Sequence, residues 1–367
     1  MDDPIRRAQR AFSTTAAGYL NTPSMGIPPK GVVAAIEQAL SSWSAATARF
    51  EDWDATYEHC RALIASEVGA AEQNVALIPS VVPAVSYVSA QLARRGGVLL
   101  AHRSEFRSLL LPAMQAYGED RVRWVDGPYG AATFTDALER DVSAVVASTV
   151  SSHDGSRIDL PALLRACDDV GAELIVDATQ SLGVIALDVP VDRPAAMVAA
   201  GYKGLLAPRG TGYGIIRPDL TDDVPMQPSP YGMADTAAIG SYGPPLLPFS
   251  GAARLDQSPA WLSWIGARAG LEFLGGVPVA AREEHALRLA GRLRARLADA
   301  GLPVVEGDLP SPVVSVAVDT PDDVLARLDR AGVRASVRRG RLRMGFHLYV
   351  AEETVDTAFE VLVQPDR

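Results

Sequence analysis

Leu174-Ile-Val-Asp-Ala-Thr-Gln-Ser-Leu-Gly183, followed by Ala199-Ala-Gly-Tyr-Lys-Gly-Leu-Leu-Ala-Pro-Arg-Gly-Thr-Gly212, decides how this chain folds. The first stretch opens as a short apolar, partly β-branched run, as a buried strand does, and stops at an acid, Asp177. The second sets Lys203 among small residues, 26 positions after Asp177. In an open α/β sheet, ligands bind beyond the carboxyl ends of the strands, so the Asp177 side chain could reach a bound ring. Other readings stand beside this one. Asp177-Ala-Thr-Gln180 also fits a capping box, and a lysine in a glycine-rich loop is often simply solvated. Gly201, Gly204 and Pro208-Arg-Gly-Thr-Gly212 allow a close approach to a ligand. Gly210, Gly212 and Gly214 precede a strand rather than open a helix, so they are no dinucleotide fingerprint.

The same strand-then-helix rhythm extends on both sides. Strands are expected over 74–79, 97–101, 121–125, 142–148, 173–176, 195–199 and 213–216, with helices over 82–93, 106–117 and 160–170. Short apolar strands alternating with helices predict an α/β domain with a mostly parallel, seven-stranded sheet. Residues 221–259, rich in Pro, Gly and Ser, read as a long excursion. A helical stretch follows over 261–300, interrupted near Gly275-Gly276-Val277-Pro278. The last third reads as a small α+β domain: strands 312–318 and 341–344, helices 321–331 and 351–363. The expected division is an N-terminal segment 1–20, a large domain 21–259, and a linking helix with the small C-terminal domain, 260–367.

With 367 residues the chain can bury a full core in two domains. Its 48% hydrophobic and 21% charged residues are ordinary for a soluble globular protein. A net charge of −10 argues against nucleic acid or an anionic membrane as partner. Arg338, Arg339, Arg341 and Arg343 form one basic cluster, a solvated face or an anion pocket. Met-Asp-Asp-Pro lacks the basic start and apolar core of a signal peptide, and no apolar run approaches a membrane span. Cys60 and Cys167 are the only cysteines, so neither a disulfide framework nor a thiolate metal site is indicated. A cytoplasmic location is expected.

The Asp177–Lys203 pair suits pyridoxal 5'-phosphate (PLP), which needs a lysine amine for its Schiff base and an acid to keep its pyridine nitrogen protonated. The chain further resembles the class V aminotransferases, a family that includes cysteine desulfurases, kynureninase-like enzymes and isopenicillin N epimerase. The family pattern D-x-x-Q-S-x-G, then H-K or Y-K and G-P-x-G-x-G, is carried by Asp177, Gln180, Ser181, Gly183, Tyr202-Lys203 and Pro208–Gly212. The resemblance runs from Tyr19-Leu-Asn-Thr-Pro-Ser-Met-Gly26 to Leu342-Arg-Met-Gly-Phe-His-Leu-Tyr349 and implies the PLP-dependent transferase fold type I.

It also implies roles. Lys203 would carry PLP and move the Cα proton, Asp177 would pair with the pyridine nitrogen, and Gln180 would hydrogen-bond the phenolic oxygen. Phe106 falls where the family stacks an aromatic on the ring, although an amphipathic helix core position is the plain alternative. The phosphate turn is reduced to Pro79-Ser80-Val81-Val82, where helix N-terminal amides can still bind. Ala200 replaces a common Ser and Tyr202 the desulfurase His, whose tasks the Tyr202 hydroxyl could partly take over. Ser152 stands where relatives use Asn to touch the cofactor. Ser258, in Leu255-Asp-Gln-Ser-Pro259, matches a segment reaching the neighbouring subunit's phosphate, which implies a homodimer with shared active sites. Arg343 matches the arginine that grips the substrate α-carboxylate, with a surface ion pair as the plain alternative, and Asn21 is a further substrate-contact candidate. Ser152-His153-Asp154 is not a triad, because triad members converge from separate segments.

Desulfurases carry a nucleophilic cysteine shortly before the carboxylate-binding arginine, and this chain has no cysteine after Cys167. Persulfide chemistry of that kind is not expected. Transamination, β-elimination, racemisation and decarboxylation remain. The Arg- and Ala-rich, Lys-poor composition resembles a high-GC bacterial protein. Family members there include C–S lyases of ergothioneine assembly and lincosamide-pathway enzymes acting on cysteine conjugates. The reading leans to β-elimination on an amino acid with a bulky side chain, with an aminotransferase as alternative. A non-catalytic PLP-fold binding module is the alternative of another class.

Overall fold

A computed structural model of the chain describes residues 3–234 and 242–364. Part of the expected 221–259 excursion, residues 235–241, lies outside them. Seven strands, β1 (Val75–Ile78), β2 (Val98–His102), β3 (Val122–Val125), β4 (Val142–Ser148), β5 (Glu173–Asp177), β6 (Ala196–Ala200) and β7 (Gly212–Ile216), form one sheet in the order β1-β7-β6-β5-β4-β2-β3. β2 through β6 run parallel, while β7 is antiparallel to both its neighbours. The sheet is therefore mixed and mostly parallel.

Strand alternation divides the core between the two faces. Leu77, Val145, Val176, Met197 and Ile215 point into one hydrophobic cluster and Ile78, Val146, Ile175, Val198 and Ile216 into another. Burial on both faces is why these strands read as continuous apolar runs. Helices Val82–Arg94 and Arg107–Tyr117 cover the second face. Phe50–Val68, Leu160–Val170 and Trp261–Gly275 cover the first.

The register brings five strand ends to one rim. Ser148 pairs with Asp177, Asp177 with Val198, and Ala200 and Ile78 both with Gly212. The ends of β1, β4, β5 and β6 and the start of β7 therefore lie side by side.

The interruption at Gly276 separates Trp261–Gly275 from the helix Val279–Asp299. A second sheet follows: β8 (Val313–Ala317), β9 (Ser336–Arg338) and β10 (Arg341–Gly345), antiparallel in the order β8-β10-β9, with helices Pro321–Arg330 and Glu352–Val363. The N-terminal segment joins it. Leu20 donates its N–H to the Arg334 carbonyl, and its own carbonyl accepts from Gly345.

Two long helices, Lys30–Ser44 and Phe50–Val68, and the short strand β9 go beyond the elements expected from sequence. Lys30–Ser44 leaves Val33, Leu40 and Trp43 exposed, and Phe50–Val68 buries Arg61 against Asp256, so neither shows a clean apolar stripe.

Candidate active site

Asp177 ends β5 and turns the chain without starting a helix. Its Oδ1 accepts the Thr179 N–H at 2.8 Å, and the next bonds are the turns from Ser181 and Leu182 to the Ala178 carbonyl. The capping-box helix does not form, and the Gln180 amide donates instead to the Pro23 carbonyl at 3.2 Å. No hydrogen bond from the described residues reaches the other Asp177 oxygen, and the side chain lines a cleft. Burial raises its pKa.

Lys203 follows β6 across the same rim. Its loop packs so tightly on the Asp177 turn that only glycine fits. A Cβ on Gly183, whose φ is +86°, would stand 2.3 Å from the Gly204 carbonyl oxygen; one on Gly204 would stand 2.2 Å from that of Leu182. The Lys203 amine is buried, and burial, with the charges of Arg343, Arg338 and Arg209, outweighs the pull of Asp177 and lowers its pKa to about 8. Its Nζ lies 5.5 Å from the centre of the Phe106 ring and 5.7 Å from that of Tyr202. The chain's other lysine, Lys30, bonds the Arg10 carbonyl and lies outside the cleft.

The cleft has two connected chambers. The inner one, about 80 Å³, is lined by Ser80, Val81, Phe106, Ser152, Asp177, Gln180, Tyr202 and Lys203. The outer one, about 440 Å³, shares Phe106, Ser152, Gln180, Tyr202 and Lys203 and adds Ser24 and Arg343. Phe106 precedes the helix Arg107–Tyr117 and is 45% exposed, so it is not a core residue of that helix. Arg343, on β10, is 2% exposed and makes no ion pair among the described residues. Its Nη1 donates to the Ser152 carbonyl, its Nη2 to Ser24 Oγ at 3.1 Å, and its Nε has no partner. Burial and neighbouring Arg338 lower its pKa to about 10.

Three candidates lie outside this lining. Val82 opens the helix after Ser80-Val81, and Asn21 bridges to Gly345 with its Oδ1 buried and unpartnered. Ser258 is exposed on the excursion. Conversely, Thr179, Ser108 and Thr211 line the inner chamber and were not singled out in the sequence. Thr179 Oγ1 accepts the Ala200 N–H. Glu105 is buried, accepting from the Phe106 N–H, the Ser148 N–H and hydroxyl, and Tyr129. It fixes the backbone beneath Phe106 to the end of β4. Only its position immediately before Phe106 could have signalled it.

These residues fit PLP. The inner chamber offers one amine on a buried lysine, a carboxylate oxygen left open, an exposed ring, and backbone N–H groups at Ser80-Val81, just before a helix, beside several hydroxyls. The architecture is that of PLP enzymes of fold type I.

Residues 19–357 match the family described as Aminotransferase class-V, and the chain belongs to that family. It is a PLP-dependent enzyme. An uncharacterized aminotransferase of Bacillus subtilis is 24% identical over 312 residues, 83% of this chain and 82% of that protein. A cysteine desulfurase from Thermococcus onnurineus superposes with a TM-score of 0.81 at 20% identity, covering 97% of this chain and 96% of that one. A variant of the cystine C–S lyase C-DES, solved with glycine covalently linked to its PLP cofactor, superposes with a TM-score of 0.78. The two chains are 17% identical, with 95% of this chain and 96% of that one covered.

Proposed function

We propose that the enzyme acts at Cα of an amino acid with a bulky side chain, by β-elimination from a cysteine S-conjugate in bacterial secondary metabolism. The observation that carries this reading is Arg343, a buried guanidinium without a carboxylate, in the same cleft as a lysine whose amine is neutral above about pH 8. A buried, unpaired cation is costly unless an anion completes it, and an α-carboxylate suits its planar fork.

Bound PLP supplies an electron sink for the pair left when a bond at Cα breaks. Lys203 would hold it, Asp177 would keep a proton on the pyridine nitrogen, Gln180 would meet the phenolic oxygen, and Phe106 would cover the ring. Ser80, Val81 and Val82 would take the phosphate, and Ser152 would border the ring. Arg343 orients the substrate so that its Cα faces the Lys203 amine, and that amine takes the proton. Asn21 would steady the loop that carries Ser24. Tyr202, which lines both chambers, offers its hydroxyl to the departing sulfur.

Elimination is favoured over desulfurase chemistry, in which an enzyme cysteine takes the sulfur, because Cys60 and Cys167 are buried and away from the cleft, each thiol pushed up to about 12 by burial. The outer chamber leaves room for a sulfur substituent, and the similarly folded C-DES is a cystine C–S lyase. Transamination is the second reading, favoured by the Bacillus relative's description. A binding module would have no use for a buried, depressed lysine. Incubation with cysteine S-conjugates should release thiol, pyruvate and ammonia in equal amounts. Strict dependence on a keto acid, with no thiol released, would replace elimination by transamination.

The reading includes a cytoplasmic homodimer in which Ser258 of each subunit serves the other's phosphate site. Met25, Val33, Leu40, Trp43 and Phe50, all 43–61% exposed, support it as an apolar surface wanting a partner. Among the described residues no helix is long and apolar enough to cross a membrane.

A further inference from the structure

We infer that the substrate carries a second anionic group, on its side chain, received by Arg338 and Arg339 at the tip of the β9–β10 hairpin. The inference deepens the proposed function and rests on it. The outer chamber is lined by Arg107, Arg209, Arg338, Arg339 and Arg343, in a chain whose net charge is −10. Among the described residues, none of the five lies within 4.0 Å of a carboxylate oxygen. Elsewhere the chain pairs its arginines: Arg61 with Asp256, Arg157 with Asp188, Arg217 with Glu173, Arg282 with Glu67. The chamber's one acid, Glu105, already accepts hydrogen bonds at both oxygens from Phe106, Ser148 and Tyr129.

Arg343 accounts for one anion, the α-carboxylate. Ser24 Oγ accepts from Arg343 at 3.1 Å and from Arg338 at 3.2 Å, so the two guanidiniums stand side by side with no protein anion between them. The hairpin gives independent support. Arg338 pairs with Arg341, leaving Arg339-Gly340 as a two-residue turn with φ of +47° and +76°. Such turns favour Asn or Gly at the first position, because a larger side chain is strained there. Arginine occupies that position here and lines the chamber. A carboxylate, sulfonate or phosphonate two or three bonds beyond the sulfur shares the required chemistry.

The test is calorimetric titration of the PLP-loaded enzyme, so that binding is read whether or not turnover follows. The ligands are S-carboxymethylcysteine, its neutral isostere S-carbamoylmethylcysteine, and the S-phosphonomethyl analogue. The anionic ligands should bind at least tenfold more tightly than the amide, and whichever anion binds tighter identifies the group. The Arg338→Gln/Arg339→Gln double variant should lose the preference, whereas Arg341→Gln, outside the chamber, should keep it. Equal binding of acid and amide, or a preference that survives the double variant, would overturn this inference and leave the proposed function standing. If no amino acid binds, charged or neutral, both fall together.

Discussion

Lys203 is poised by its surroundings. Buried beside Arg343 and Arg338, its amine sits near pH 8, below the ordinary 10.5. The native apoprotein then holds fewer protons than the unfolded chain between about pH 8 and 10.5, so this group makes stability rise with pH across that window. Below it, burying the charged amine is a penalty. Lys203→Met should therefore stabilise the apoprotein at pH 7, by roughly 3 kcal/mol at most since each pKa unit is worth about 1.4 kcal/mol. The gain should shrink as pH passes 8. Denaturation of both proteins from pH 6 to 10 checks this, and a difference constant with pH would mean the amine is not perturbed. For Arg343→Ala we expect KM for amino acids to rise at least about 30-fold, because a buried charge-assisted hydrogen bond is worth on the order of 2 kcal/mol or more. An unchanged KM would remove it from carboxylate binding. That Asp177, Lys203, Gln180 and Arg343 would come to one cleft was legible in the sequence, because their side-chain chemistry is specific and their spacing matches a pattern. Glu105, Ser24 and Thr179 were not, since their parts depend on partners distant along the chain.

Elements show the same split. The seven strands of the large sheet were legible because both faces are buried, which leaves short apolar runs between glycines and helices. The helices Lys30–Ser44 and Phe50–Val68 were not, since one exposes large apolar residues and the other buries an arginine. The turn at Arg339-Gly340 was also hidden, because nothing in Arg-Arg-Gly-Arg announces a left-handed arginine. Arg339→Asn, which tolerates that conformation, should raise stability by up to about 1 kcal/mol while weakening the anionic ligand. Thermal denaturation beside the ligand titration reads both, and a variant less stable than its parent contradicts the strain. Gly204→Ala should cost about 2 kcal/mol or more, since its Cβ would meet backbone rather than a yielding side chain.

At the scale of the whole molecule, the segment after the C-terminal sheet meets the large sheet's lysine loop. His347, fully buried on the segment after β10, hydrogen-bonds the Gly204 carbonyl at 2.9 Å, with burial lowering its pKa to about 3, so it is neutral. The segment that follows Arg343 and the lysine-bearing loop are thereby fastened together. The α/β class could be read from the order of strands and helices and the fold type from the family resemblance, but the bond broken depends on how a substrate is oriented in the cleft. Sedimentation should find a dimer, and Trp43→Glu should weaken it. A monomer with full activity would contradict shared active sites.

The most direct measurement is the visible spectrum of the purified enzyme before and after borohydride reduction, with peptide mapping of the adduct. The chain has only two lysines, so the outcome is close to binary. The account predicts a Schiff-base band and a reduced adduct on Lys203. An adduct on Lys30, or no band after PLP is added, would contradict it.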